Sequence, residues 1–271
     1  MTLGRFSLLT SVVFSFAAAA NAGPVTHVLD TTSYNYQLDG GGGGAQATLD
    51  KSTNIEIFCV DYANDIYVPA TNYSAYLSTL TGGSDLSDTR FGSVGQYVGA
   101  AGGWTSIGGI ADAGTINGAT DLGRYQMAAY LVSQYNLADG KTTTFNLGGG
   151  TTNNDSVQQA IWDILDPYGE TFGNIGTTSY TNNALEAAAK WYTSMGGNSG
   201  SSTLNTFLAN FRIVSDATMG SCTGSKLVNC GFQEQITVVP EPRHLALMLM
   251  GLLLVGCAVF RRVQAAQRSN A

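Results

Sequence analysis

The sequence predicts an α+β fold: a single domain of antiparallel strands with a cluster of about three helices, followed by a C-terminal membrane helix. Three observations predict it. Apolar residues alternate with period two early in the chain, at Ile55, Ile57 and Cys59. Beyond Asp121 the period lengthens to that of a helix, and strand signals return from Phe232 to Val239. Strands, then helices, then a strand is the order of an α+β domain rather than of alternating βαβ units.

From Val25 to Tyr73 the chain reads as strands, chiefly Ser33 to Leu38 and Asn54 to Tyr62, with Gly40 to Gly44 as the turn between them. Period two sets Cys59 on the face of Ile55 and Ile57, while Phe58 and Val60 point the other way, so both faces can be buried. The stretch from Gly92 to Gly118 reads as surface loop or weak strands. A first helix starts at Asp121, a suitable cap, and aligns Tyr125, Ala128, Ala129, Val132 and Tyr135 on one stripe. A second starts near Asp155 and Ser156. Its apolar residues Val157, Ala160, Ile161, Ile164 and Leu165 follow the i, i+3, i+4, i+7, i+8 pattern, and Pro167 stops it. A third, from about Asn183 to Met195, turns Leu185, Ala188, Tyr192 and Met195 inward.

The two ends carry addresses. A basic start at Arg5, an apolar run from Phe6 to Ala20 and the small-residue sequence Ala20-Asn21-Ala22 form a three-part secretory signal over residues 1–22, cleaved after Ala22. At the other end Pro240-Glu241-Pro242 precedes an apolar stretch from Leu245 to Phe260 that stops at Arg261-Arg262. The Arg pair holds its flank on the cytoplasmic side and leaves everything upstream outside. That stretch makes roughly 24 Å of helix, short for a hydrocarbon core of about 30 Å, which suits a transient anchor better than a permanent one. The combination in residues 240–271 resembles the PEP-CTERM sorting signal of Gram-negative bacteria, whose tail is processed by an exosortase, a membrane cysteine protease. The resemblance implies secretion, membrane tethering through helix 245–260, and release to the cell surface or an exopolysaccharide matrix.

Residues 23–239 then form the exported domain, long enough to bury a sizeable core. Charged residues make up only 11% of the chain and the formal net charge is −7. No Lys/Arg cluster occurs outside the tail, which argues against nucleic acid or anionic lipid as partners of the domain. The histidines are His27 and His244, too few and too far apart in sequence to suggest a metal site. No cofactor motif is present, and a Ser-His-Asp or Cys-His hydrolase lacks a well-placed base. Asp61, Asp65, Asp163, Asp166 and Glu170 show no spacing that singles out a catalytic pair, so an enzyme is not expected.

Cys257 belongs to the tail, which leaves Cys59, Cys222 and Cys230 in the exported part. Cys222 and Cys230 enclose a short loop and are the natural disulfide in an oxidising compartment. Cys59 is left over: buried and inert, bonded between molecules, or chemically committed elsewhere. A partner for it stands downstream. The segment Phe58-Cys59-Val60-Asp61 on a strand and Val157-Gln158-Gln159-Ala160-Ile161-Trp162 at the start of a helix together resemble the thioester domain of bacterial surface adhesins. The helical segment Ala128-Ala129-Tyr130-Leu131-Val132 between them fits the same family, and the resemblance spans about Ile55 to Leu165.

The resemblance implies an internal thioester between the sulfur of Cys59 and the side chain of Gln158, formed with loss of ammonia. A surface amine or hydroxyl would attack it and leave the protein covalently attached. Helical geometry separates the two glutamines. Gln158 shares a side with Ile161 and Leu165, whereas Gln159 aligns with Asp163 and Asp166 on the polar face. The apolar side chains of Phe58, Ile161 and Trp162 would shield the bond from water. The competing expectation is a non-reactive structural or carbohydrate-binding surface protein, its tyrosines stacking on sugar rings.

Overall fold

The structure, a computed structural model, describes residues 26–37, 42–51, 53–62, 72–82, 86–91, 106–136, 142–148, 150–165, 178–197, 200–218 and 231–238. The signal segment with Ala22, the Cys222 and Cys230 pair, the sorting residues Pro240, Glu241, Pro242, Arg261 and Arg262, and the expected membrane helix 245–260 lie outside the described residues. Among the described residues no helix is long and apolar enough to cross a membrane.

The fold is mixed α+β, with strands in a closed antiparallel barrel. Six strands take part: β1 (His27–Gln37), β2 (Gly43–Leu49), β3 (Thr53–Cys59), β4 (Tyr73–Thr79), β7 (Phe211–Asp216) and β8 (Gln235–Val238). Their order around the barrel is β1-β2-β3-β8-β7-β4, and β4 pairs with β1 to close it. Closure removes the exposed edges that would otherwise invite pairing with another chain. A separate two-stranded hairpin, β5 (Phe145–Leu147) and β6 (Gly150–Thr152), packs on the helices.

Period two divides the barrel into an inside and an outside. Leu29, Ala45, Ala47, Leu49, Ile55, Ile57, Tyr73, Ala75 and Val214 come from five strands and form one buried cluster. Only the lumen allows five strands to share a cluster. The opposite face of β3, β7 and β8 presents Phe58, Ile213 and Ile236 to a second, larger cluster shared with the helices. Both faces of the Ile55–Val60 segment are therefore buried, as its alternation requires.

Five helices occur among the described residues, where about three are expected from sequence: α1 (Ala113–Asn117), α2 (Asp121–Ser133), α3 (Asn154–Leu165), α4 (Thr178–Ser194) and α5 (Ser202–Leu208). The additional two, α1 and α5, have five and seven residues, too short to show a helical stripe. Helix α2 begins one residue after Thr120, which is the N-cap in place of the expected Asp121 and accepts from the N–H of Gly123. It ends at Ser133, so Tyr135 lies just beyond the helix while still packing on the core. Helix α4 starts at Thr178, ahead of the expected Asn183.

Helices α2, α3 and α4 pack on one another. Every residue of α3 except Asp163 is buried, so the polar residues Asn154, Ser156, Gln158 and Gln159 go inside with the apolar ones. Burial of Val157, Ile161, Ile164 and Leu165 stabilises this placement by about 1.5–3 kcal/mol for each side chain, enough to carry its polar residues inward when they find partners.

The strands also depart from the expected layout. The glycine run does not join Ser33–Leu38 directly to the strand of Cys59; β2 stands between them, and Gly43 and Gly44 are its first residues. The strand expected from Asn54 to Tyr62 ends at Cys59 and that from Phe232 to Val239 is limited to Gln235–Val238. In the Gly92–Gly118 stretch, residues 92–105 lie outside the described residues and the remainder contains α1.

Candidate functional site

The end of the barrel where β2 begins and β3 finishes meets the first turns of α3 and the exit of α2. Each segment reaches this point for a local reason. Asn153 accepts a hydrogen bond from the N–H of Ser156 and so caps α3. Asn154 clamps the exit of α2: its amide donates to the carbonyl of Asn136 at 2.8 Å and its Oδ1 accepts from the N–H of Asn136 at 2.9 Å. This fixes Tyr135, next in the chain to Asn136, against the turn of α3 that carries Gln158.

Gln158 has no exposed surface, and each end of its amide is engaged. Its Nε2 donates to the main-chain carbonyl of Cys59 at 3.0 Å. Its Oε1 accepts from the N–H of Gly43 at 3.0 Å and from the hydroxyl of Tyr135 at 2.7 Å. An acceptor facing the amide nitrogen and two donors facing the oxygen fix which way the amide is turned. The geometry thus brings the side chain of Gln158 to the main chain of Cys59, the two residues singled out from sequence.

Cys59 is buried, and its side chain packs with Trp162, one turn beyond Gln158 on the same face of α3. The Cys59 thiol also donates to the carbonyl of Asp61 at 3.4 Å. Tyr62 lies edge-on against Trp162 with ring centroids 4.9 Å apart and is itself 40% exposed, so it is the outermost ring over the site. Phe58 stacks on Tyr135 at 5.4 Å and 11° between planes. Ile161 joins the main helical core. Of the three expected shields, Trp162 lies against Cys59, Phe58 braces Tyr135, and Ile161 holds the helix in place.

Gln159 lines up with Asp163, as expected of the polar face, though that part of the face is itself buried. Its amide donates to Asp163 Oδ1 at 2.8 Å, one turn along α3, with no bond to the Cys59 strand. Geometry favours Gln158 over Gln159 for any chemistry with Cys59.

Gly42 is the close-approach residue. A Cβ there would sit 2.7 Å from Gln158 Cγ and 2.8 Å from both Gln158 Cδ and Trp162 Cζ2. We therefore expect Gly42→Ala to push Gln158 and Trp162 off their seats at a cost of about 1–3 kcal/mol. The urea midpoint should fall and, on the reading proposed below, so should the fraction of chains that carry an activated acyl group. Sequence reading saw a turn at Gly40 to Gly44; it had no signal for what the glycines would touch.

A second buried polar network begins two residues beyond Cys59. Asp61 Oδ2 lies 2.6 Å from Arg90 Nε, both side chains being fully enclosed. The main-chain N–H of Arg90 donates to Glu234 Oε1 at 2.7 Å, as does the hydroxyl of Ser215 at 2.6 Å, and the hydroxyl of Tyr125 donates to Glu234 Oε2. Burial pushes the Glu234 carboxyl up to about 7, against the opposing pull of these donors and of the Arg90 charge. Tyr125 is raised well above the usual phenol range, first by burial and then by the adjacent Glu234 charge. Sequence reading missed Arg90 and Glu234, since neither sits in a motif.

The other sequence candidates are placed elsewhere. His27 pairs with Asp50 at 2.8 Å at the far end of the β2–β3 hairpin, roughly 20 Å along the strand from Cys59. Asp65, Asp166 and Glu170 lie outside the described residues, and Asp61 and Asp163 are engaged as above. Among the described residues no cluster of His, Cys, Asp or Glu is arranged to hold a metal. In comparisons with known proteins, no family model, no curated protein and no solved structure matches the chain.

Proposed function

We propose that the chain is an exported cell-surface or extracellular-matrix protein that attaches covalently through an internal thioester between Cys59 and Gln158. One observation carries the reading: a wholly buried glutamine, 99 residues downstream of a buried cysteine, donates its amide N–H to that cysteine's own carbonyl. Bond formation joins Cys59 Sγ to Gln158 Cδ and breaks the Cδ–Nε2 bond, and the thiol proton leaves with the nitrogen as ammonia. Attack by a surface amine then forms an amide at Cδ and returns the proton and electron pair to sulfur as the Cys59 thiol. The bond requires the thiol to turn from the Asp61 carbonyl to the Gln158 amide, where an effective molarity of about 10⁵ M or more would favour it, and the Trp162–Tyr62 cover would slow hydrolysis.

On this reading the signal at 1–22 exports the chain, the tail at 240–271 tethers domain 23–239 to the membrane, and an exosortase processes it at the sorting motif. Its partners are the secretion machinery and a surface amine or hydroxyl, including those of an exopolysaccharide. One contact favours the second reading, a non-reactive surface module. The Cys59 thiol donates to the carbonyl of Asp61, an arrangement an inert structural cysteine would also adopt. Intact mass of the purified protein under non-reducing conditions, before and after methylamine, separates the two. A deficit of one ammonia, replaced by a methylamine adduct, supports the thioester. A full mass with Cys59 open to alkylation after unfolding supports the passive module.

A further inference from the structure

We propose that the Gly43 N–H and the Tyr135 hydroxyl form an oxyanion hole for Gln158, polarising its carbonyl when the thioester forms and again when a nucleophile opens it. The role rests on the thioester reading and adds two residues that no motif contains. Both hydrogens already meet the oxygen on which charge develops, at 3.0 Å and 2.7 Å. When Cys59 Sγ or an external amine adds to Cδ, the carbonyl π pair moves onto Oε1, and donors held in place beforehand need no reorganisation to receive it. Collapse of that adduct expels ammonia in the forming direction and the Cys59 thiolate in the opening one, and the proton from the attacking group goes to the leaving group.

Both donors are held in place by specific features of the fold. Gly43 has φ +115°, a backbone conformation that L side chains rarely adopt, at the first residue of β2. Gly42 lets this backbone approach closer than any side chain would permit. Tyr135 lies past the end of α2, its ring stacked on Phe58, the residue before Cys59, and the two-way Asn136–Asn154 clamp fixes its neighbour. The residue before Cys59 and the second donor are therefore packed directly on each other. The amide oxygen offers two lone pairs, and each is met by a donor from a different element.

Tyr135→Phe keeps the ring stack and deletes one donor. In the full-length protein we expect methylamine to react about 100-fold more slowly, the low end for loss of an oxyanion donor, because Gly43 remains. The infrared carbonyl band of the thioester should move to higher frequency as its hydrogen bond is lost, a change that altered folding alone would not produce. Gly43→Ala, which strains the backbone that aims the other donor, should slow the reaction independently. An ammonia deficit in the parent with an unchanged rate and band position in Tyr135→Phe overturns the oxyanion role and leaves the thioester standing. No deficit in the parent overturns both.

Discussion

Cys59→Ala is expected to eliminate the ammonia deficit and every methylamine adduct, while the protein unfolds within about 1 kcal/mol of the parent. The change removes one sulfur from a buried contact with Trp162 and a weak thiol bond to the Asp61 carbonyl, which keeps the Gln233 side-chain amide as a donor, so the cost stays small. Gln158→Ala should also lose all adducts, at a much greater cost to stability. It would remove the bonds that Gln158 makes to the Gly43 N–H, the Tyr135 hydroxyl and the Cys59 carbonyl, and leaving the buried Gly43 N–H unsatisfied alone costs about 1–3 kcal/mol. Gln159→Ala breaks only a bond to Asp163 within its own helix and should leave adduct formation unchanged. Mass spectrometry and urea unfolding on the three variants would read this pattern directly. Adducts that persist in Cys59→Ala, or that vanish in Gln159→Ala but not in Gln158→Ala, would sink the assignment.

The same contacts explain what was legible in the sequence. Period two marked both faces of β3, and the 3.6 period marked α2 and α3, because these segments bury branched apolar side chains at regular intervals. Strand β2 reads Gly-Gly-Ala-Gln-Ala-Thr-Leu, with small residues facing the lumen, and so carries almost no hydrophobic contrast. Barrel closure depends on β4 pairing with β1 and β7, a match between distant segments that no local pattern encodes. The site divides in the same way. Cys59 and Gln158 were legible because two short motifs could be set side by side. Gly43 and Tyr135 were not: Gly43 stands 115 positions from the oxygen it contacts, and Tyr135 read only as the last member of a helical stripe. The alignment of Gln159 with Asp163 was legible but the burial of that polar face was not, because amphipathicity assumes one wet face, whereas α3 is enclosed almost all round.

Glu234 should make the protein less stable as pH rises from about 4.5 to about 7, the reverse of the usual carboxylate behaviour. Its folded-state value lies near 7 because burial penalises the charge, against 4.5 for an ordinary glutamate. Between those values the folded chain holds a proton that the unfolded chain has released, so the native state gains from acid. Below about 4.5 the contribution is constant. Through the window it declines, by about 3 kcal/mol in all if this group acted alone. The neighbouring charges set the size of the effect: Arg90 draws the value down, while Tyr125 and Tyr73 are pushed up first by burial and then by nearby carboxylates, Glu234 for Tyr125 and Asp216 ahead of Glu234 for Tyr73. Asp50 and Glu186 are lowered by His27 and Lys190 respectively, so their contributions are lost only at lower pH and leave the window clear. Glu234→Gln keeps an acceptor for Ser215 and the Arg90 N–H while deleting the titration. Urea midpoints of the variant should therefore stay level from pH 5 to 7.5, where those of the parent fall. Parallel curves for the two proteins would mean that Glu234 is ionised in the fold throughout, with Arg90 and its three donors outweighing burial. The segment that follows β3, from Cys59 to Asp61, would then be held by a permanent ion cluster instead of one that acid relaxes.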